Sequence, residues 1–171
     1  MPRHVAFLRG VSPTNARMPD VQRCFEAAGF TAVSTILASG NVAFDAPAAD
    51  PSQIERRAEQ ALLAGLGRPF PVIVRTSSHL QRLLEGDPYA AHGIPPDAKR
   101  VVTFLRAPAE PRVPLPLARD LASVFVRIGG EVYSAYLPTA RGPVFMVLIE
   151  RAFGSDVTTR TWQTVQRCAA G

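Results

Sequence analysis

A single lysine, Lys99, a single tryptophan, Trp162, two cysteines and three histidines are all that the 171 residues hold of those types. Each scarcity removes a class of function. His4, His79 and His92 have no ligand-like spacing to one another or to the cysteines, so no metal site is expected. Cys24 and Cys168 are too few and too far apart for the disulfide framework of a secreted domain. Both fall on apolar helix faces, where a buried thiol behaves as a small hydrophobe. The longest apolar run, VFMVLI at residues 144–149, is far short of the roughly 20 residues that span a bilayer, and no membrane crossing is expected. The opening MPRHVAFLRG holds no signal-length apolar stretch before Arg9, so the expected compartment is the cytoplasm. P-loop, dinucleotide and Gly-x-Ser-x-Gly patterns are missing too, which leaves no expected cofactor and no nucleophile paired with a base.

What the chain does have is arginine. Basic residues number 19 against 14 acidic ones, a net charge of +5, and 47% of residues are hydrophobic, the balance of a globular domain. The length suits one domain or two small lobes. A basic balance admits nucleic acid as a partner. The arginines are scattered, however, with Arg56 and Arg57 the only adjacent pair, which reads as a solvated surface and makes nucleic acid the less favoured partner.

Hydrophobic periodicity orders the elements. HVAFLRGV, residues 4–11, reads as a strand that Gly10 lets end sharply. MPDVQRCFEAAGF, residues 18–30, spaces Val21, Cys24, Phe25 and Ala28 as a helix face. A hairpin follows around Ser39, Gly40 and Asn41. Asp50 and Pro51 open a second helix with Ile54, Ala58 and Leu62 inward, FPVIVRTS at 70–77 returns as a strand, and a short helix starts with a Ser78–Gln81 capping box. Strand, helix, hairpin, helix, strand is a ferredoxin-like order. DPYAAHGIPPDA, residues 87–98, reads as a linker. Then RVVTFLRAP at 100–108 echoes the opening strand, LARDLASV at 117–124 is predicted helical, and VFVRIGGEVYSAYL forms a second hairpin at Gly129 and Gly130. The run at 144–149 is ambiguous in period; Pro143 before it and Gly154 after it favour a helix. No closing strand is expected next, because the tail pattern is helical. The fold class is therefore α+β, a tandem of two ferredoxin-like lobes: 1–86 with a bridging helix, a linker at 87–98, and 99–171 closed by a C-terminal helix instead of a last strand. Internal duplication is the corollary.

VAFLRGV, MPDVQRCFEAAGF, ILASGNVAFD and FGSDVTTRTWQTVQR resemble successive signature regions of an uncharacterised bacterial family, domain of unknown function sixteen-ninety-seven, nearly end to end. That resemblance implies the two-lobed α+β fold and no assigned activity. The chain departs from the family pattern twice. A glycine-rich loop with a lysine after the first strand is replaced by SPTNAR, residues 12–17, so an anion held there would rely on Thr14, Asn15 or Arg17. In the tail, Thr161 and Gln163 stand where the family carries asparagines.

The tail carries the candidate site. With Thr158 as cap, Val157 and Trp162 form a hydrophobic staple, and Trp162, Val165 and Ala169 face inward. The helix start would then offer free amides, the hydroxyls of Thr158, Thr159 and Thr161 and the guanidinium of Arg160, groups that suit an anion. Arg9 and Gly10 at the end of the first strand and the Ser39, Gly40, Asn41 turn complete the expected ligand set. The plainer alternative, a capped and packed last helix beside ordinary turn chemistry, needs no ligand. Three functions follow: a binding module for a small anionic or phosphorylated ligand, an RNA or DNA binder stacking bases on Phe7, Phe44, Phe104 or Tyr133, and an enzyme with an unrecognised site. The oligomeric state stays open, since open sheets pair across edges.

Overall fold

The computed structural model describes residues 1–138 and 144–171. It is an α+β structure with two antiparallel sheets, and the chain divides into two compact units, Met1–Glu85 with Gln166–Gly171, and Gly86–Val165. Among the described residues no helix is long and apolar enough to cross a membrane.

The first unit follows the expected element order. β1 (Arg3–Leu8) is buried from His4 onward. α1 (Met18–Ala27) has proline in its first turn and buries Val21, Cys24 and Phe25. β2 (Thr31–Ile36) and β3 (Asn41–Asp45) form the hairpin. α2 (Pro51–Leu66) is capped by Asp50, whose carboxylate accepts the Ser52 N–H at 3.1 Å, and stops at Gly67 with φ +74. β4 (Val72–Thr76) then runs without a loop into α3 (Ser77–Gly86). The Ser78–Gln81 box is not what starts that helix: Thr76 Oγ1 accepts the His79 N–H at 3.2 Å, and Gln81 donates to Ala169 O at 3.3 Å. The strands lie in the order β2-β3-β1-β4. One sheet face, carrying Ala6, Leu8, Val42, Phe44 and Val72, packs with Phe25, Ile54 and Leu62 of α1 and α2.

The edge strand β4 is closed by side chains. Arg9 N–H donates to Pro71 O at 3.0 Å, and Phe7 and Val5 lie opposite Ile73 and Arg75. In an antiparallel ladder the alternate residues Val72 and Val74 therefore point their backbone groups off the sheet. Glu59 and Glu55, one turn apart on α2, accept those two N–H groups at 2.9 Å each, and Arg75 donates to Val74 O at 3.0 Å.

The second unit corrects several expectations. It holds α4 (Pro88–Ala91), β5 (Lys99–Leu105), β6 (Leu117–Arg119), β7 (Ala122–Ile128), β8 (Glu131–Tyr136), α5 (Phe145–Phe153) and β9 (Val157–Thr161), with strands in the order β6-β7-β8-β5-β9. α6 (Trp162–Ala169) begins here, and its residues from Gln166 on count with the first unit. LARDLASV is no helix: Leu117 pairs with Val124 across a tight turn at Asp120 and Leu121, both at positive φ. Its helical spacing lost to cross-strand pairing. The last strand that was not expected is β9, paired antiparallel with β5. VTTRT is β-branched at every position but Arg160, and that propensity outweighs the reading of its threonines as caps. The linker reading of 87–98 gives way to a segment whose Tyr89 is fully buried. α5 is helical as favoured, ending at Gly154 with φ +84, whereas Pro143 lies outside the described residues. Leu148 and Ile149 pack with Val101, Leu105, Val132 and Val157 of the sheet.

His4 gives the first unit a titrating group in its core. Its ring stacks on Phe44 at 5.5 Å, with Nδ1 3.1 Å from Pro2 O, and burial pushes its pKa below the ordinary 6.5 against the opposing pull of that carbonyl and of Asp45. The native state thus binds this proton less readily than the unfolded chain. The contribution is complete above about pH 6.5 and is lost as pH falls. Melting temperatures recorded between pH 7 and pH 5 should decline less steeply in His4→Phe than in the wild type.

Candidate functional site

At one end of the first unit's sheet, two segments that the sequence separates meet. β1 stops at Leu8, and Gly10 turns the chain at φ +83 into a loop that Asn15 holds from within: Oδ1 accepts the Ser12 N–H at 2.8 Å and Nδ2 donates to Gly10 O at 2.7 Å. The side-chain amide of Asn15 is thereby committed to the loop rather than to a ligand. Ser12 and Thr14 hydroxyls lie 3.0 Å apart, and Gly10, Thr14 and Arg17 are exposed, with Arg9 half-buried.

Against this loop lies the hairpin turn. Gly40 O accepts the Leu8 N–H at 2.8 Å. At φ +93, a Cβ on Gly40 would stand 3.0 Å from Val11 Cγ2 and 3.1 Å from Leu8 Cβ, so only glycine lets turn and loop adjoin. Asn41 is fully buried, and its Nδ2 donates to Ile36 O at 2.8 Å and to Ser39 Oγ at 2.9 Å. It shapes the turn; Ser39 is the exposed member. Gly40→Ala combines left-handed strain with two close contacts and should lower the urea midpoint by the equivalent of roughly 1–2 kcal/mol, with the slope of the transition unchanged.

Of the expected ligand set, this end brings together Arg9, Gly10, Ser39, Gly40 and Asn41. Thr158, Thr159, Arg160 and Trp162 belong to the second unit, and the helix-start argument for them fails. Thr158, Thr159 and Arg160 are strand residues of β9, and the cap of α6 is Thr161, whose Oγ1 accepts the Thr164 N–H at 3.2 Å. Thr159 Oγ1 lies 2.8 Å from Thr103 Oγ1, Arg160 donates to Thr159 O at 2.9 Å, and the buried Thr158 Oγ1 has no hydrogen-bond partner among the described residues. Trp162 is a core residue, its ring 4.8 Å from that of Tyr89. The sequence signal that would have separated these cases is the β-branched run, which outlasts a single helical turn.

The aromatic residues considered for base stacking are all buried: Phe7, Phe44 and Phe104 are fully inaccessible and Tyr133 nearly so. Unit 1 also has a cleft of about 750 Å³ along α1 and α2, bordered by Cys24, Gly65 and the Asp20–Arg23 ion pair. A Cβ on Gly65 would come within 2.5 Å of Cys24 Sγ, which is why glycine stands there. Burial first, then the Asp20 charge, raises the Cys24 pKa, so this thiol is held protonated and is a poor nucleophile.

A family model described as a protein of unknown function (DUF1697) matches residues 1–133. Among solved structures, the conserved bacterial protein SP0830 from Streptococcus pneumoniae is similar in fold, with a TM-score of 0.74 at 14% identity over 99% of this chain and 97% of that one. Among curated proteins no match was found.

Proposed function

This chain belongs to the DUF1697 family of proteins of unknown function, and we propose that it is a binding module for a small anionic or phosphorylated ligand, taken at the Arg9–Ser39 end of its first unit. The observation that carries the reading is the junction of the two segments: Leu8 N–H on Gly40 O sets the exposed Ser39 beside a loop that carries Arg9, Thr14 and Arg17. Two guanidinium-bearing residues, the half-buried Arg9 and the exposed Arg17, and two exposed hydroxyl residues, Thr14 and Ser39, form a donor-rich surface with no carboxylate between residues 9 and 17. A cytoplasmic setting is part of the reading and accords with two buried cysteines, Cys24 and Cys168, neither of them in a disulfide.

The two units are read here as diverged copies of a ferredoxin-like motif. In support, Phe7 lies between Asn41 and Ile73 as Phe104 lies between Glu131 and Thr158, and Leu8 N–H meets Gly40 O as Leu105 N–H meets Gly130 O, both at 2.8 Å. The second copy replaces the first crossover helix with the segment that contains β6.

Thermal melting with inorganic phosphate and with a mononucleotide tests the binding reading. A probe at about 100 times its dissociation constant should add roughly 2.7 kcal/mol of stability, a shift of several degrees. Arg17→Ala and Arg9→Ala should each shrink that shift, as should high salt. No shift with either probe at low salt would end the reading.

A further inference from the structure

We infer that the outer edge of β9 is an interface at which a second copy of this chain adds its own β9. An unpaired strand edge is a template for another strand, and folded proteins block such edges with charges, bulges, brevity or cover. The two sheets have four edges, β2 and β4 in the first and β6 and β9 in the second. Three carry a visible block. β4 has Glu55 and Glu59 on its outward N–H groups and Arg75 on an outward carbonyl. β2 is broken in register between Thr31 and Ser34, with Ala32 at φ +48 and its carbonyl bonded by Arg3 at 2.7 Å. β6 is three residues long and follows Pro116.

β9 differs. Leu105 turns its N–H to the carbonyl of Gly130, just before β8, so its partner on the other side, Val157, directs its backbone groups away from β5. Two residues on, Thr159 does the same, and the 2.8 Å approach of the Thr103 and Thr159 hydroxyls is that of the closer, non-hydrogen-bonded pair type. Thr159 therefore occupies in the second sheet the place Val74 has in the first. Where α2 sets Glu55 against Val74, α5 sets Met146 against Thr159, the hydroxyl donating to Sδ at 3.3 Å. Among the described residues no carboxylate accepts the Thr159 N–H. The single arginine contact on Thr159 O, at 2.9 Å, is half-exposed and exchangeable.

The edge fits a second copy of itself. In an antiparallel pair centred on Thr159, Val157 lies opposite the partner's Thr161 and Arg160 opposite the partner's Thr158. The strand's only charges thus never face each other, and β-branched residues meet at every pair except the two that join Arg160 to Thr158. The result is an isologous dimer with one continuous sheet made from two five-stranded ones.

Sedimentation velocity of the full chain over a wide concentration range, combined with hydrogen exchange, tests this. The expected result is a reversible dimer in which amides of residues 157–161 gain protection as concentration rises and those of 72–76 do not. Met146→Glu places a carboxylate beside Thr159 as in β4 and should weaken association at least roughly ten-fold while the variant still melts cooperatively. A monomer at every concentration overturns the inference. So does a dimer whose protection gain lies elsewhere, or a folded Met146→Glu variant that associates as tightly as the wild type.

Discussion

Glu55→Ala is expected to destabilise the protein by about 3 kcal/mol, read as a lowered urea midpoint. The Glu55 side chain is almost wholly buried, and its carboxylate accepts the Val74 N–H at 2.9 Å. Removing it takes away a charge-assisted bond of roughly 1.5–3 kcal/mol and leaves a backbone donor without its acceptor. Deleting a buried carboxylate also relieves its desolvation cost, which limits the loss. Glu55→Gln retains an acceptor oxygen in the same place and should cost about 1 kcal/mol. The contrast between the two variants isolates the hydrogen bond from the charge. An alanine variant as stable as the glutamine one would mean that Glu55 is not what closes β4. The alanine variant should also aggregate faster on warming, because the first sheet would then carry an open edge at β4.

Tyr89→Ala should cost still more, about 4 kcal/mol, the scale of emptying a large aromatic site in a core. Tyr89 has no accessible surface and meets Phe125, Tyr133 and Trp162 edge-on, with ring centroids 4.8–5.8 Å away. Its hydroxyl donates to Val101 O at 2.5 Å, so Tyr89→Phe should lose about 1 kcal/mol while the rings stay packed. Trp162 fluorescence reports both changes, because its indole is the nearest of those rings. Burial above all, then the neighbouring Tyr133, pushes the Tyr89 pKa well above its ordinary 10. The unfolded chain gives up this proton first. Stability is accordingly complete below about pH 10 and declines as pH rises beyond it, and Tyr89→Phe should make that alkaline decline shallower.

Both residues show where the sequence could be read and where it could not. The first unit was legible because its signals are local: proline and glycine bracket α1 and α2, and the Ser39–Asn41 turn sits between apolar stretches. Glu55 and Glu59 carry no mark of their role in the sequence, since nothing local tells that a helix carboxylate will reach a strand edge 13 or 19 residues away. Tyr89 lay in a segment rich in proline and glycine, and its burial depends on partners 36 to 73 residues distant. β9 was missed for a different reason. Threonine serves both strands and helix caps, and in TTRTWQTVQR the strand passes into the helix at Thr161 with no turn residue to mark the change. The candidate site was half legible: the residues of its turn and loop are distinctive in sequence, but their adjacency rests on the hydrogen bond from Leu8 to Gly40.

The first unit is discontinuous along the chain, which bears on how it is made. Gln81 holds Ala169 O, Arg3 lies 3.4 Å from Gly171 O, and Gly171 rests against Ile36 and Ala43. These contacts join residues up to 168 positions apart. Such closures add slow, non-local steps. During synthesis, then, the second unit can finish before the first, although its residues come later. The earlier-made sheet must wait, with one set of contacts missing, for residues 166–171 to arrive.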